Sequence, residues 1–366
     1  MNYSQSDEMT AIEYTPPEIG EGIHVRYFCY PPQSIQLSSL KNKKKMLLVI
    51  DKNLDVTKYN AVSRLIRSQV ENIVILPLDC SEKSLGRLKI IWKKMIEYSP
   101  DVATAIGGGV ACDLVGFASS CYQRNLDHIF FPTTSLSMID AAIGGKTGID
   151  FHGVKNSIGS VHYAKDSVCI ISFLKTLPSE ELNSGFAEAV KAAMLFSADL
   201  FNKLQCFSQS NEIELRNIIA ESAKFKALLC EQPLKVRSKL LYGHNIGHGI
   251  ETYSSLRRRH GDCVSIGMNL EAAMAVQLGI LQKQDWLSQQ ELLLRFHLPT
   301  EFPKGMKKEV VMERMKLYKL YKEGKFFFVL PKKIGGIYET NRSYFTVIED
   351  QKFVDLLSAS IDMCSQ

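Results

Sequence analysis

The chain lacks any C-x-x-C pair. Its nine cysteines are scattered through 366 residues, an odd number without the spacing of a disulfide frame or a cysteine-rich zinc site. Reduced thiols in a cytosolic setting are the expectation. No apolar run reaches membrane-spanning length, and the stretch "MNYSQSDEMT" has no apolar core of the kind that directs secretion. The expected location is therefore the cytoplasm, with no membrane partner. Charge of one sign is also scarce: 44 basic against 39 acidic residues leave a net +5. That balance argues against a nucleic-acid binder and suits a small anionic substrate. Two basic clusters, Lys41–Lys45 and Arg257–Arg259, read as solvated surface. Internal repeats, low-complexity tracts, the G-x-G-x-x-G fingerprint and the full P-loop spacing are all missing.

What is present has the texture of an enzyme. Hydrophobic residues make up 45% and charged residues 23%, a globular balance, and the length predicts two domains. "KMLLVIDKNL", "ENIVILPLDC", "DVATAIGGGVACDLVGF", "HIFFPTTSLSM" and "SVCIISFLKTLP" read as buried strands, several running into helices, which predicts a parallel α/β sheet. After Pro178 the pattern turns helical: "SEELNSGFAEAVKAAMLFSADLFNKL", "NEIELRNIIAESAKFKALL" and "GDCVSIGMNLEAAMAVQLGIL". Ser179 is the expected N-cap of the first of these, with Glu180 and Glu181 in its first turn. The predicted domains are residues 1–178, with the first twenty partly loose, and residues 179–366.

Three regions carry chemistry. Gly107, Gly108 and Gly109 lie between a strand and a helix, where glycines let phosphate approach main-chain N–H groups; a plain tight turn is the competing reading. Asp113 would cap that helix or meet a cofactor, and Asp51 ends a strand where an acidic residue can bind an adenosine ribose. Thr133 and Thr134 offer hydroxyls at another strand end. "MIDAAIGGKTGIDFHGVKNSIGS" sets Asp140, Lys146, Lys155 and Asn156 among glycines, suited to a phosphate or carboxylate or, more plainly, to a flexible loop. In "YGHNIGHGIE", His244 and His248 are one helical turn apart. A third histidine, His260, follows in "RRRHGD", while Glu188 and Lys191 share a helix face in "GFAEAVK". A glutamate with two histidines would leave positions open on Zn²⁺, the catalytic pattern. The alternative makes one of the paired histidines a buried, hydrogen-bonded one.

Taken in order, "GGGVACDLVGF", "PTTSLSMIDAAIGGKTGI", "GVKNSIGS", "TLP", "GFAEAVK", "YGHNIGHGIE" and "HGD" make the chain resemble the 3-dehydroquinate synthases of the sugar-phosphate cyclase superfamily, from Lys45 to Gly336. The resemblance implies an α/β fold: a Rossmann-like, parallel-sheet NAD-binding domain followed by a mainly α-helical metal-binding domain. It implies Zn²⁺ or Co²⁺ held by Glu188, His244 and His260, with His248 handling protons beside the ion. Asp140, Lys146, Lys191 and Arg237 match positions that order the site or act on substrate, and Asn156, Lys155, Lys226 and Lys319 match positions toward the substrate. Arg124 matches an arginine that reaches the phosphate of a neighbouring subunit's substrate, which implies a homodimer. Asp51, Lys83, Gly107, Gly108, Gly109, Asp113, Thr133, Thr134 and Thr176 fall where the family binds NAD.

The implied reaction converts 3-deoxy-D-arabino-heptulosonate 7-phosphate to 3-dehydroquinate. A carbinol is oxidised, phosphate is eliminated, the hydride is returned and an aldol step closes the carbocycle, so NAD⁺ ends unchanged. Three departures from the family stand out, one of them "LDCSEKSL" in place of the glycine–glutamate segment around the adenosine ribose. Leu241 occupies a position where these synthases carry asparagine, and "EQPLKV" replaces an acidic patch before Arg237. Other readings to be separated are a cyclase for a different sugar phosphate such as sedoheptulose 7-phosphate, a metal-dependent polyol dehydrogenase, and an inactive scaffold.

Overall fold

The computed structural model describes residues 9–255, 257–340 and 343–365. The chain divides into two units that alternate along the sequence. The first takes residues up to His152, Asn156–Pro178 and Ser208–Gln232; the second takes Gly153–Lys155, Ser179–Phe207 and residues from Pro233 onward. A single cut at residue 178 does not describe this partition.

The first unit is built on β1 (Thr10–Tyr14), β2 (Ile23–Phe28), β3 (Lys45–Asp51), β4 (Asn72–Leu78), β5 (Val102–Gly107) and β6 (His128–Pro132). A ribbon of β7 (Lys146–Phe151) and β8 (Val154–Val161) follows, and β9 (Asp166–Ile170) returns to the main sheet. The seven strands lie in the order β1-β2-β9-β6-β5-β3-β4. β1 is antiparallel to β2 and the other pairs are parallel. Successive side chains on a strand face opposite ways, and both faces here are apolar. Met46 and Leu48 of β3 join the core containing Val62, Leu65 and Ile66 of α1 (Val56–Arg67). Leu47 and Val49 join the core under α2 (Leu85–Tyr98) and α3 (Gly109–Cys121). This two-sided burial is why the strands read as continuous apolar runs.

Thr10–Tyr14 lies within the stretch expected to be loose, yet it pairs with Ile23–Tyr27 as an edge strand; the same expectation for residues 1–8 lies outside the described residues. The second unit opens with α4 (Ser179–Phe196) and α5 (Ala198–Cys206). Sequence periodicity suggests one helix there. The chain breaks at Ser197, whose extended backbone and side chain cap α5 by accepting from the Leu200 amide. Ser179 is the first residue of α4 rather than its cap. α6 (Glu212–Cys230), expected among the C-terminal helices, belongs to the first unit, where Lys226 reaches the turn carrying Asp140. The second unit continues through α7 (His244–Tyr253), α8 (His260–Gln277), α9 (Lys283–Arg295), α10 (Lys308–Met315) and α11 (Asp350–Cys364), with short strands between the last two. Among the described residues no helix is long and apolar enough to cross a membrane.

Candidate functional site

Each histidine of the H-x-x-x-H pair follows a glycine, and helix packing explains both glycines. Gly243 has φ +75°, a left-handed conformation that favours glycine. A Cβ there would lie 2.4 Å from Met268 Cγ and 2.8 Å from the Val264 carbonyl oxygen. A Cβ on Gly247 would lie 2.8 Å from the Cys263 carbonyl oxygen. α7 therefore rests directly on the backbone of α8. No residue of α7 caps its own N-terminus. Glu271, from α8, accepts from the Gly243 amide at 2.7 Å and from the Ile246 amide at 3.3 Å. It is fully buried, and burial outweighs those amides and pushes its carboxyl up to about 8.

That seating brings Glu188 of α4, His244 of α7 and His260 of α8 together, each offering a ligand atom within 4.8 Å of the others. Glu188 Oε1 is 3.5 Å from His244 Nε2 and 3.8 Å from His260 Nε2. This oxygen is buried without a hydrogen-bond partner, an arrangement that is costly unless a cation satisfies it. The other carboxylate oxygen takes an ion pair from Lys191, one turn along α4. His244 Nδ1 lies 3.0 Å from the Tyr242 carbonyl. Burial, then the positive Lys191, hold this imidazole well below the ordinary histidine range, so it is neutral and able to ligate. The donor set of one carboxylate and two imidazoles fits Zn²⁺ or Co²⁺.

His248 flanks the group, with its ring centroid 5.2 Å from that of His244 and 5.9 Å from that of His260. Its other neighbour is Tyr318, stacked at 5.0 Å, whose hydroxyl shares a 2.7 Å hydrogen bond with Thr252. Lys155, expected toward the substrate, ion-pairs with Glu251 and lies 3.1 Å from His260 Nδ1. The same Nδ1 is 3.1 Å from Glu251 Oε2. Burial alone would raise the Glu251 carboxyl, but Lys155 and His260 outweigh it and hold it well below the carboxylate range. His248, Glu251 and His260 also bring ligand atoms within 4.8 Å of one another, yet the Lys155 ammonium already balances the charge of Glu251 there. Arg237 is buried in the short helical turn before α7, and Lys319 is exposed immediately after Tyr318.

In the first unit, parallel β3, β5 and β6 bring Asp51, Gly107 and Thr133 to one edge of the sheet, where α3 also begins. A Cβ on Gly107 would lie 2.6 Å from Ala111 Cβ, and the Gly107 carbonyl accepts from the Thr133 amide at 2.9 Å. Gly108 lies against Thr134 and Gly109 against Ala141. Lys83 donates to Asp113 at 2.5 Å and to Asn156. Lys226 Nζ donates to Asp140 Oδ1 at 2.8 Å, and Lys146 is exposed at the start of β7. Arg124 and Thr176, both exposed, belong to neither group. Sequence reasoning assigned no role to Glu251, Glu271 or Tyr318. Glu251 had a signal, since His244, His248 and Glu251 recur on one face of a helix; the other two had none.

The fold is that of an α/β enzyme with a mostly parallel sheet in one unit and a helical unit bearing the metal-type cluster. Solved structures share it. A 2-deoxy-scyllo-inosose synthase complexed with carbaglucose-6-phosphate, NAD⁺ and Co²⁺ matches with a TM-score of 0.80 at 17% identity, covering 95% of this chain and 99% of that one. A 2-epi-5-epi-valiolone synthase from Streptomyces hygroscopicus subsp. jinggangensis, with NAD⁺ and Zn²⁺ bound, matches with a TM-score of 0.76 at 22% identity, covering 91% and 96%. The family models 3-dehydroquinate synthase N-terminal and 3-dehydroquinate synthase C-terminal match residues 73–184 and 185–320. The 3-dehydroquinate synthase of Ruminiclostridium cellulolyticum is 32% identical over 315 residues, 82% of this chain and 87% of that protein. The chain belongs to the 3-dehydroquinate synthase family.

Proposed function

We propose that this chain is a 3-dehydroquinate synthase, a phosphate-eliminating cyclase of 3-deoxy-D-arabino-heptulosonate 7-phosphate in the shikimate pathway. The observation that carries the reading is the meeting of Glu188, His244 and His260 around a buried, unsatisfied carboxylate oxygen in a member of this family. When bound, NAD⁺ would accept and return hydride while Zn²⁺ or Co²⁺ polarised the carbinol oxygen. The first unit would bind NAD along the edge bearing Asp51, Gly107, Gly108, Gly109, Thr133 and Thr134, with Lys83, Asp113 and Thr176 as further contacts; the glycine-opened start of α3 suits a pyrophosphate. The second unit would hold the ion.

His248, stacked on Tyr318, would take the carbinol proton. Lys191 fixes Glu188, and Arg237, Lys146 and Asp140 would order the site and substrate. Asn156, Lys155, Lys226 and Lys319 would hold phosphate and carboxylate through charge-assisted bonds. Arg124 would reach the phosphate in a partner copy, making the enzyme a cytosolic homodimer.

Phosphate release from heptulosonate phosphate tests the reading. Release that needs both NAD⁺ and metal, with no net NADH, is expected. Preferential turnover of sedoheptulose 7-phosphate would make the protein a different cyclase, and NADH accumulating with a polyol would make it a dehydrogenase. No turnover of any of these by the metal-loaded protein would leave only a scaffold.

A further inference from the structure

We propose that Glu251 is a positioning residue for His260, fixing the tautomer in which that ring ligates the metal, and that Lys155 is the counter-ion that keeps Glu251 at its post. The inference rests on Glu188, His244 and His260 as the ligand set and deepens that assignment. A neutral imidazole presents a lone pair on one nitrogen only, and the partner of the other nitrogen decides which. For His244 the partner of Nδ1 is the Tyr242 carbonyl at 3.0 Å. A carbonyl only accepts, so Nδ1 carries the proton and Nε2 presents its lone pair toward Glu188.

His260 poses a choice. Its Nδ1 lies 3.1 Å from Glu251 Oε2 and 3.1 Å from Lys155 Nζ. A carboxylate requires a proton on Nδ1. An ammonium donating to Nδ1 would move the proton to Nε2, which faces Glu188 Oε1 at 3.8 Å, and would block ligation. Lys155 already donates to Glu251 in a close ion pair, so the carboxylate sets the tautomer.

A charged acceptor also answers a problem that His244 does not face. His260 is the first residue of the 18-residue α8 and follows Arg257–Arg259. The positive end of a helix disfavours an added cation. A carboxylate only 4% exposed, on the far nitrogen of the ring, offsets that field and makes Nε2 the better donor. Lys155 also opposes use of Glu251 itself as a ligand with His248 and His260.

The test measures Zn²⁺ affinity by competition with a chromophoric chelator. Glu251→Gln should weaken binding by about 10- to 100-fold. Because that change strands the Lys155 charge, Glu251→Gln is also combined with Lys155→Met; the double variant has no uncompensated charge and should keep the metal defect. In the zinc-loaded wild type, nitrogen-15 NMR should show a proton on His260 Nδ1 that exchanges slowly, and faster exchange in the Glu251→Gln protein. Wild-type affinity in the folded double variant, or a bare His260 Nδ1 in the zinc-loaded protein, overturns the positioning role. Wild-type affinity in His260→Ala would instead remove His260 from the ligand set, so the two failures are distinguishable.

Discussion

Five of the eight histidines lie in two clusters, one in each unit, and the clusters are opposites. In the first unit His128 is fully buried, with its ring 4.6 Å from His162 and 4.8 Å from Phe130. The Leu126 main chain approaches it, but neither ring nitrogen has a well-aligned hydrogen-bond partner. Burial, then His162, hold its imidazole well below the ordinary range. In the second unit His244 and His260 each have Nδ1 against an oxygen acceptor and Nε2 turned to one carboxylate. Burial alone therefore does not mark a working histidine. The mark is an acceptor behind one nitrogen and an unsatisfied acid in front of the other.

The largest effect should come from breaking the second cluster. His260→Ala should abolish zinc retention and turnover together, as metal analysis and phosphate release would show. His128→Phe should leave turnover near wild type. A His260→Ala protein that turns over normally without metal would erase the contrast.

The next effect concerns stability and pH. The Glu271 carboxyl has a folded value of about 8 against an ordinary 4.5. The folded chain then holds a proton that the unfolded chain has released, so stability is full below pH 4.5 and is lost as pH rises through about 8. The loss is on the order of 5 kcal/mol. Denaturant melts of Glu271→Gln should lack that slope; an unchanged slope would assign it to another group.

His128 gives the opposite sign. Its folded value lies below 6.5, so the unfolded chain gains a proton that the native ring refuses, and stability falls as pH drops below 6.5. His128→Phe should reduce this acid sensitivity; identical acid melts for the two proteins would contradict it. The smallest effect is at Leu241, the end of the turn before α7. If a polar contact to substrate is missing there, Leu241→Asn should raise kcat/KM by about 2- to 10-fold, the worth of one hydrogen bond. A fall in kcat/KM would show that the leucine suits this site.

The sheet was legible because its strands are buried on both faces. Met46–Val49 is apolar at every position, and length together with a following polar turn is enough to name a strand. The metal-type cluster was legible as residue types at helical spacing, joined to a family likeness. Local periodicity did not reveal the break at Ser197, because Leu200 and Leu204 continue the apolar rhythm across it. It also gave no sign that α6 folds with the first unit, which depends on contacts such as Lys226 with Asp140, 86 positions away. The Lys155–Glu251 pair spans 96 positions and the Glu271 cap spans 28. Such pairings depend on how distant helices seat, and a single sequence records the seating only indirectly, here through two glycines.

Those glycines have a consequence for how an ion is captured. With Gly243 and Gly247 flush against α8, the imidazoles of His244 and His260 are keyed to each other by backbone on backbone. Two of the three candidate ligands are therefore set relative to each other by the fold itself. Metal uptake becomes a matter of shedding water and protons in a cradle already cast, and the strength of capture reports on how tightly the helix pair is closed.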